Sequence, residues 1–357
     1  MKKDRRRWLA WVIGGIVLAL ILIHVSHSRE WRSFSWRRVG SMLLNASPEL
    51  VVFAFLLSIA SYAVRAYRWK YFVDPIKRCS PWILFNGQVI GFASIYLIGR
   101  AAEIVRPAYI ARAESLPFTS QLAVWVIERV YDCIALVVLF ALALYFEPLR
   151  ASSVRRPGLV HAIHAAAAGI LLLSILGVAC LAAYRFYSRR IIARLEVVLK
   201  PDSSKTGARM ISFLQSFSSG LDVIQSPGDF SVTVALTVLL WSVNVSVLWL
   251  TIRAVGSAAA TFPWWAAALT AVLSAAGLAI QLPGVGGGSQ VAMLLALKDI
   301  YHLPAADAAS ATILGWVVVM VPCIALGLIL VFAGGLSFHK LRVITEEEER
   351  EVASPES

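Results

Sequence analysis

The chain has 357 residues, 59% of them hydrophobic, and a formal net charge of +12; its mean hydropathy is +0.74. That hydropathy lies far above a soluble domain and marks a polytopic membrane protein. The basic excess then belongs to cytoplasmic loops and anionic headgroups. Nucleic-acid binding is disfavoured, because no basic stripe is interleaved with aromatics.

Met1 to Val25 opens with basic residues and continues as an apolar run, and no small-x-small cleavage site precedes Ser26-His27-Ser28. The pattern predicts an uncleaved first span over 8–25, with Trp8 and Trp11 at the interface. Further apolar segments fall at about 48–64, 82–98, 121–146, 159–184, 231–255, 262–281 and 308–335. Each approaches the length that crosses ~30 Å of hydrocarbon as a helix. Two are broken. Gly99–Pro107 follows 82–98, and Leu282-Pro283-Gly284-Val285-Gly286-Gly287-Gly288 follows 262–281. Neither turn stays helical at low cost, and broken backbone at membrane depth is tolerated only inside protein or beside a wet cavity. The segments 82–112 and 262–297 therefore read as re-entrant hairpins.

This gives two halves of the same plan. Segment 48–146 reads span, hairpin, span, with its hairpin entering from inside; segment 231–335 repeats the plan with its hairpin entering from outside. Inverted repeats of this kind place sites at the repeat interface. Between the halves, 185–230 carries Ile191, Ile192, Leu195, Val198 and Leu199 at helical spacing among basic residues, which suits an amphipathic connector on the inner surface. The end, 336–357, is a polar tail with an acidic run, Glu346–Glu349. The expected fold is one all-α integral membrane domain over 1–357, a polytopic helical bundle with two re-entrant broken-helix hairpins in an inverted repeat. Most basic residues, Arg65 and Arg68 among them, then count to the inner side. That bias predicts cytoplasmic N- and C-termini in a cell inner membrane.

Six charges interrupt the apolar pattern. Arg100, Glu103 and Arg106 stand at i, i+3 and i+6, so each arginine can reach the glutamate between them. Glu128 and Asp132 share a face one span later, and Arg129 can pair with Asp132. Such residues are costly at membrane depth, roughly 2.5–3.5 kcal/mol each on insertion scales, and are usually functional. Arg100 or Arg106 can neutralise the second carboxylate, so the six balance to zero. Either this is a polar network that locks the hairpin to its span, or it is a headgroup site whose pairing rearranges during transport. A spare guanidinium suits a lipid phosphate. The second turn offers bare backbone N–H groups around Pro283, Gly284 and Gly286, ahead of a helix start at Ser289 or Gln290. Such a turn can bind an anionic headgroup, or can simply be a hairpin tip that needs glycine for close packing. It is neither a P-loop nor a GxGxxG element.

No enzyme chemistry is prominent. Cys79, Cys133, Cys180 and Cys323 are scattered, which supports neither a disulfide framework nor a zinc site. His161 and His164 lack a nearby carboxylate and make a weak metal pair. No polar stretch exceeds about 45 residues, too short for a separate catalytic domain. No catalytic residue, metal or cofactor is assigned.

The blocks GRAAEIVRPAYIAR (99–112), VIERVYDCIALVV (126–138) and LPGVGGG (282–288) resemble the lysylphosphatidylglycerol synthase transmembrane-region family. These are flippase-like integral membrane proteins that pair a GRxxExxRP element with an ERxxD span and a later glycine turn. The resemblance covers roughly 45–335. It implies handling of a lipid with a phosphate-bearing headgroup, and it carries Arg100, Glu103, Arg106, Glu128, Arg129 and Asp132 over as the family's charged positions, with Pro283, Gly284 and Gly286 as its turn. The soluble aminoacyltransferase domain of the best-known members has no counterpart here. Where many members carry an acidic residue after the glycine turn, this chain has Ser289 and Gln290. Where many carry an arginine in the last long span, it has Trp316.

The expectation is a lipid flippase or lipid-binding transporter for an anionic or aminoacylated lipid, either a phospholipid or a polyprenyl-type lipid. Its substrate contacts are expected at the charged positions, the glycine turn, Ser289 and Gln290. Without an ATP-binding motif, active transport would use a gradient or a partner. The alternative is a membrane-embedded transferase, or the membrane subunit of a lipid-modifying enzyme, with Glu103 or Asp132 as its acid or base. A third reading is a scaffold for such an enzyme.

Overall fold

The computed structural model describes residues 35–146, 192–196, 227–277, 281–282 and 286–333, with single positions scattered between 172 and 215. The expected span at 8–25, nearly all of that at 159–184, most of the 185–230 connector, Pro283, Gly284 and the 336–357 tail lie outside the described residues. Among those described, five helices are long and apolar enough to cross a membrane. The chain is an all-α polytopic membrane bundle.

The first described helix is one the hydropathy reading omits. Helix α1 spans Trp36–Leu44 and is capped by Ser35, whose side chain accepts from the Arg38 backbone N–H. Val39, Met42 and Leu43 recur at helical spacing and pack on Ala306 and Ala309 near the start of the last helix. Too short to span, α1 is held by this apolar stripe and by an ion pair from Arg38 to Asp307 at 3.7 Å.

Helix α2 runs Pro48–Val73, nine residues beyond the expected end at 64. Arg65 and Arg68, counted to an inner loop on sequence, are therefore helical. The hydropathy drop that suggested a loop reflects charges that point into the fold, and arginine is a good helix former.

Helix α3, Pro81–Ile98, ends at Gly99, whose φ of 96° is a left-handed conformation suited to glycine. A 3₁₀ turn over Arg100–Ile104 leads into α4, Val105–Ala113. The chain doubles back here. A Cβ on Gly91 would lie 2.6 Å from the Arg106 Cβ, and one on Gly87 would lie 2.8 Å from Ile110 Cγ1. The two glycines thus let α4 lie directly on α3. The open end of this hairpin is tied by Glu114. Its backbone carbonyl accepts from Lys77 Nζ at 2.5 Å, and its Oε1 accepts from the Ser80 N–H at 2.9 Å. Helix α5, Phe118–Phe146, follows.

The second half repeats the order. Helix α6, Pro227–Ala254, leads to α7, Trp264–Gly277. A two-rung antiparallel ladder then pairs Gln281 with Gly287 and Leu282 with Gly286, and α8 covers Gly288–Leu295. A Cβ on Gly277 would overlap the Gly288 carbonyl, so this hairpin also closes on glycine. A π turn, Ala296–Ile300, precedes α9, Ala305–Ala333.

Packing between the halves is reciprocal. The leading helices α2 and α6 lie against each other, the first hairpin's α3 lies on α9, and the second hairpin's α7 lies on α5. Small residues permit the approach, as in other membrane bundles: a Cβ on Gly327 of α9 would come within 2.5 Å of the Ala93 Cβ on α3. The largest core cluster joins buried residues of α6, α7, α8 and α9, with Ala54 and Ala143 from the first half.

Candidate functional site

Two polar regions lie inside the bundle, and α2 supplies an arginine to each. The first is an ion network. Arg68, fully buried, donates from Nη2 to Glu128 Oε1 at 2.8 Å, and from Nη1 to Asp132 Oδ1 at 2.8 Å and Thr237 Oγ1 at 3.1 Å. From the first hairpin, Arg106 donates from Nη2 to Glu128 Oε2 at 2.5 Å and from Nη1 to Gln88 Oε1 at 2.7 Å. Its guanidinium lies 4.5 Å from the centre of the Trp69 ring, and the Trp69 indole N–H donates to Gln121. Arg129 completes the set, 3.2 Å from Glu128 and 3.1 Å from Asp132. The network thus joins α2, α3, α4, α5 and α6. Glu128, 1% exposed, faces three guanidinium groups, and removing one partner of such a buried pair typically costs about 3–5 kcal/mol.

The second region is a cavity of about 300 Å³ between the two halves. Its walls come from α2, α3, α6, α7, α8 and α9. Arg65 lines it from α2, one turn before Arg68, while Asn244, Ser274, Ser289, Gln290 and Trp316 line it from the second half. Among the described residues Arg65 forms no ion pair and no hydrogen bond; its guanidinium sits 4.8 Å over the Phe92 ring. The Trp241 indole nitrogen and the Ser274 hydroxyl, both carried by lining residues, also have no hydrogen-bond partner among the described residues. Gln290 is held in place, its Oε1 accepting from the Gly287 N–H at 2.7 Å and the Ser289 hydroxyl at 2.8 Å.

The residues singled out on sequence divide between these regions. Arg106, Glu128, Arg129 and Asp132 meet in the network. Within it, Arg106 pairs with Glu128, the neutralisation of the second carboxylate from the hairpin that the charge balance allowed. Glu103 lies half-buried on the 3₁₀ turn. Arg100 begins that turn, but its side chain lies outside the described residues. Ser289 and Gln290 reach the cavity, and Gly286 lies in the ladder that precedes them. Sequence reasoning missed both Arg65 and Arg68. The available signal was their i, i+3 spacing at the end of an apolar run, the same pattern that singled out Arg100 and Glu103.

The chain also matches a known family. The family model described as lysylphosphatidylglycerol synthase TM region matches residues 9–327. The chain belongs to this family, and the membership ties it to membrane lipids. No curated protein and no solved structure matches the chain.

Proposed function

We propose that the protein binds and translocates a lipid with a phosphate-bearing headgroup, as a flippase or lipid-binding transporter of the cell inner membrane with both termini cytoplasmic. The observation that carries this reading is Arg65. It is a guanidinium lining a cavity between two halves, with no ion pair to a carboxylate among the described residues. Ionisable residues in such positions face cavities and mark substrate paths, and guanidinium forks match phosphate oxygens. Reciprocal packing of the halves supports an inverted repeat with a site at its interface, the plan on which alternating access is built. The broken helices would then be re-entrant, which accounts for irregular backbone beside a cavity.

Within this scheme the ion network is the support. It fixes the first hairpin to α2 and α5 and holds Arg68, so the neighbouring Arg65 projects from a rigid helix. Lipids reach the cavity between the halves, and the phosphate meets Arg65 opposite Ser289 and Gln290. The transferase alternative needs an acid or base beside the headgroup, and among the described lining residues there is no aspartate, glutamate or histidine. Asp132, its strongest candidate, is engaged by Arg68 and Arg129.

The test is translocation of headgroup-labelled phosphatidylglycerol in proteoliposomes, wild type beside Arg65→Gln. The reading expects transport by the wild type and its loss in the variant at unchanged reconstitution. Equal transport by both proteins would remove Arg65, and with it the cavity, from the function.

A further inference from the structure

Within the reading of this cavity as a headgroup site, its charge composition makes a finer statement. At neutral pH Arg65 is the one charged side chain among the described residues that line it. Glu128 and Asp132 lie within electrostatic reach of Arg65, but they are engaged by Arg68, Arg106 and Arg129. The other buried charges among the described residues, Glu114, Lys298, Asp299 and Asp307, are not among the lining residues. The segment 278–288, which bounds the second hairpin's tip, contains no acidic residue.

From this composition we infer that the cavity selects a net-anionic, hydroxyl-bearing phosphate headgroup and rejects an aminoacylated one. Three observations converge on that class. A phosphodiester supplies one negative charge, which pairs with the one cation in the wall. Hydroxyls of a glycerol or sugar headgroup match Asn244, Ser274, Ser289 and Gln290, and they supply acceptors for the Trp241 and Ser274 donors that have no partner among the described residues. A lysyl ester adds two ammonium groups, and each would be desolvated against described lining residues that include no carboxylate, beside a guanidinium of the same sign. A buried ion without a counter-charge is strongly disfavoured. Size points the same way: about 300 Å³ sits at the lower end of the roughly 300–1,000 Å³ typical of ligand pockets, enough for a compact headgroup and little more. The preference runs against the aminoacylated lipid in the family's own description.

The experiment is native mass spectrometry of the full chain, gently extracted and offered equimolar phosphatidylglycerol, lysyl-phosphatidylglycerol and phosphatidylethanolamine. The inference expects phosphatidylglycerol to be retained at least about tenfold over the lysyl form, the ratio that 1.4 kcal/mol confers. Arg65→Gln abolishes that selectivity. Gln290→Glu is a nearly isosteric second variant that keeps both acceptor bonds to Gly287 and Ser289 and adds the missing carboxylate. It is expected to raise retention of the lysyl form at least several-fold. Equal or greater retention of the lysyl form by the wild type, lost in Arg65→Gln, overturns the selectivity while leaving the headgroup site intact. Non-selective retention by wild type and Arg65→Gln alike overturns the headgroup site as well. Displacement of phosphatidylglycerol by millimolar inorganic phosphate, with no lipid preference, would instead reassign the cavity to a free anion.

Discussion

Arg65 and Arg68 stand one turn apart on α2 and have opposite fates. Arg68 is fully buried and donates to two carboxylates and a threonine hydroxyl. Arg65 faces a cavity with an aromatic ring beneath it and no acid among the described lining residues. The same residue type on the same helix is scaffold in one case and candidate ligand in the other. What separates them is the number of protein partners, a property of the folded molecule that hydropathy does not record. Charge at membrane depth is thus by itself no sign of a substrate site; unneutralised charge beside open volume is.

That contrast can be broken from either side. The largest expected effect is on the network. Arg68→Gln leaves Glu128 and Asp132 short of a buried partner and is expected to lower stability by about 3–5 kcal/mol, read by thermal or denaturant unfolding in detergent. A loss below ~1 kcal/mol would mean that the network is dispensable. Next comes the seam that carries Arg106 into the network. In Gly91→Val the new Cβ meets the Arg106 Cβ at 2.6 Å, an overpacking expected to cost about 1–3 kcal/mol, and lipid transport should fall with it because the hairpin is displaced. Full stability and transport in this variant would show that α4 does not need its close seat on α3.

Arg65→Gln sharpens the comparison. The change should not destabilise the fold, because it removes a buried cation that has no ion pair among the described residues, while anionic-lipid retention drops about tenfold or more. The smallest effect uses Cys79, in the loop between α2 and α3. Burial, with Glu114 nearby, pushes its thiol up to about 11. The thiolate is the reactive form, so maleimide labelling at pH 7–8 should be slow, and it should rise only as pH approaches 11 or when the loop opens. Glu114→Gln, which weakens the tie to Lys77, should accelerate it. Rapid labelling of the wild type at pH 7 would mean that the hairpin base is open.

Much of the architecture was legible in the sequence. Five of the expected apolar segments correspond to helices long enough to span, and both glycine breaks fall where chain composition placed them, because glycine at a turn and apolar run length are local signals. Helix α1 escaped because nine residues with one apolar stripe look like a loop to a span-length criterion. The end of α2 escaped because Arg65, Arg68 and Lys70 lower local hydropathy whether they meet water or a buried acid. The charged residues show what charge balance can and cannot give. It named Arg100 and Arg106 alike as able to neutralise the carboxylate left on the next span; that Arg106 pairs with Glu128 was decided by how α4 packs on α5. Ser289 and Gln290 were legible as the helix start after the glycine turn. That they line one cavity with Arg65 was not, because it depends on how α2 and α8 are brought together.

The most direct test of this division measures two quantities on two variants: bound phosphatidylglycerol per protein and unfolding stability, for Arg65→Gln and Arg68→Gln beside the wild type. The account predicts a crossed result, with Arg65→Gln stable but stripped of selective lipid, and Arg68→Gln strongly destabilised. Selective lipid retained by a destabilised Arg65→Gln protein would contradict it, and would make both arginines scaffold.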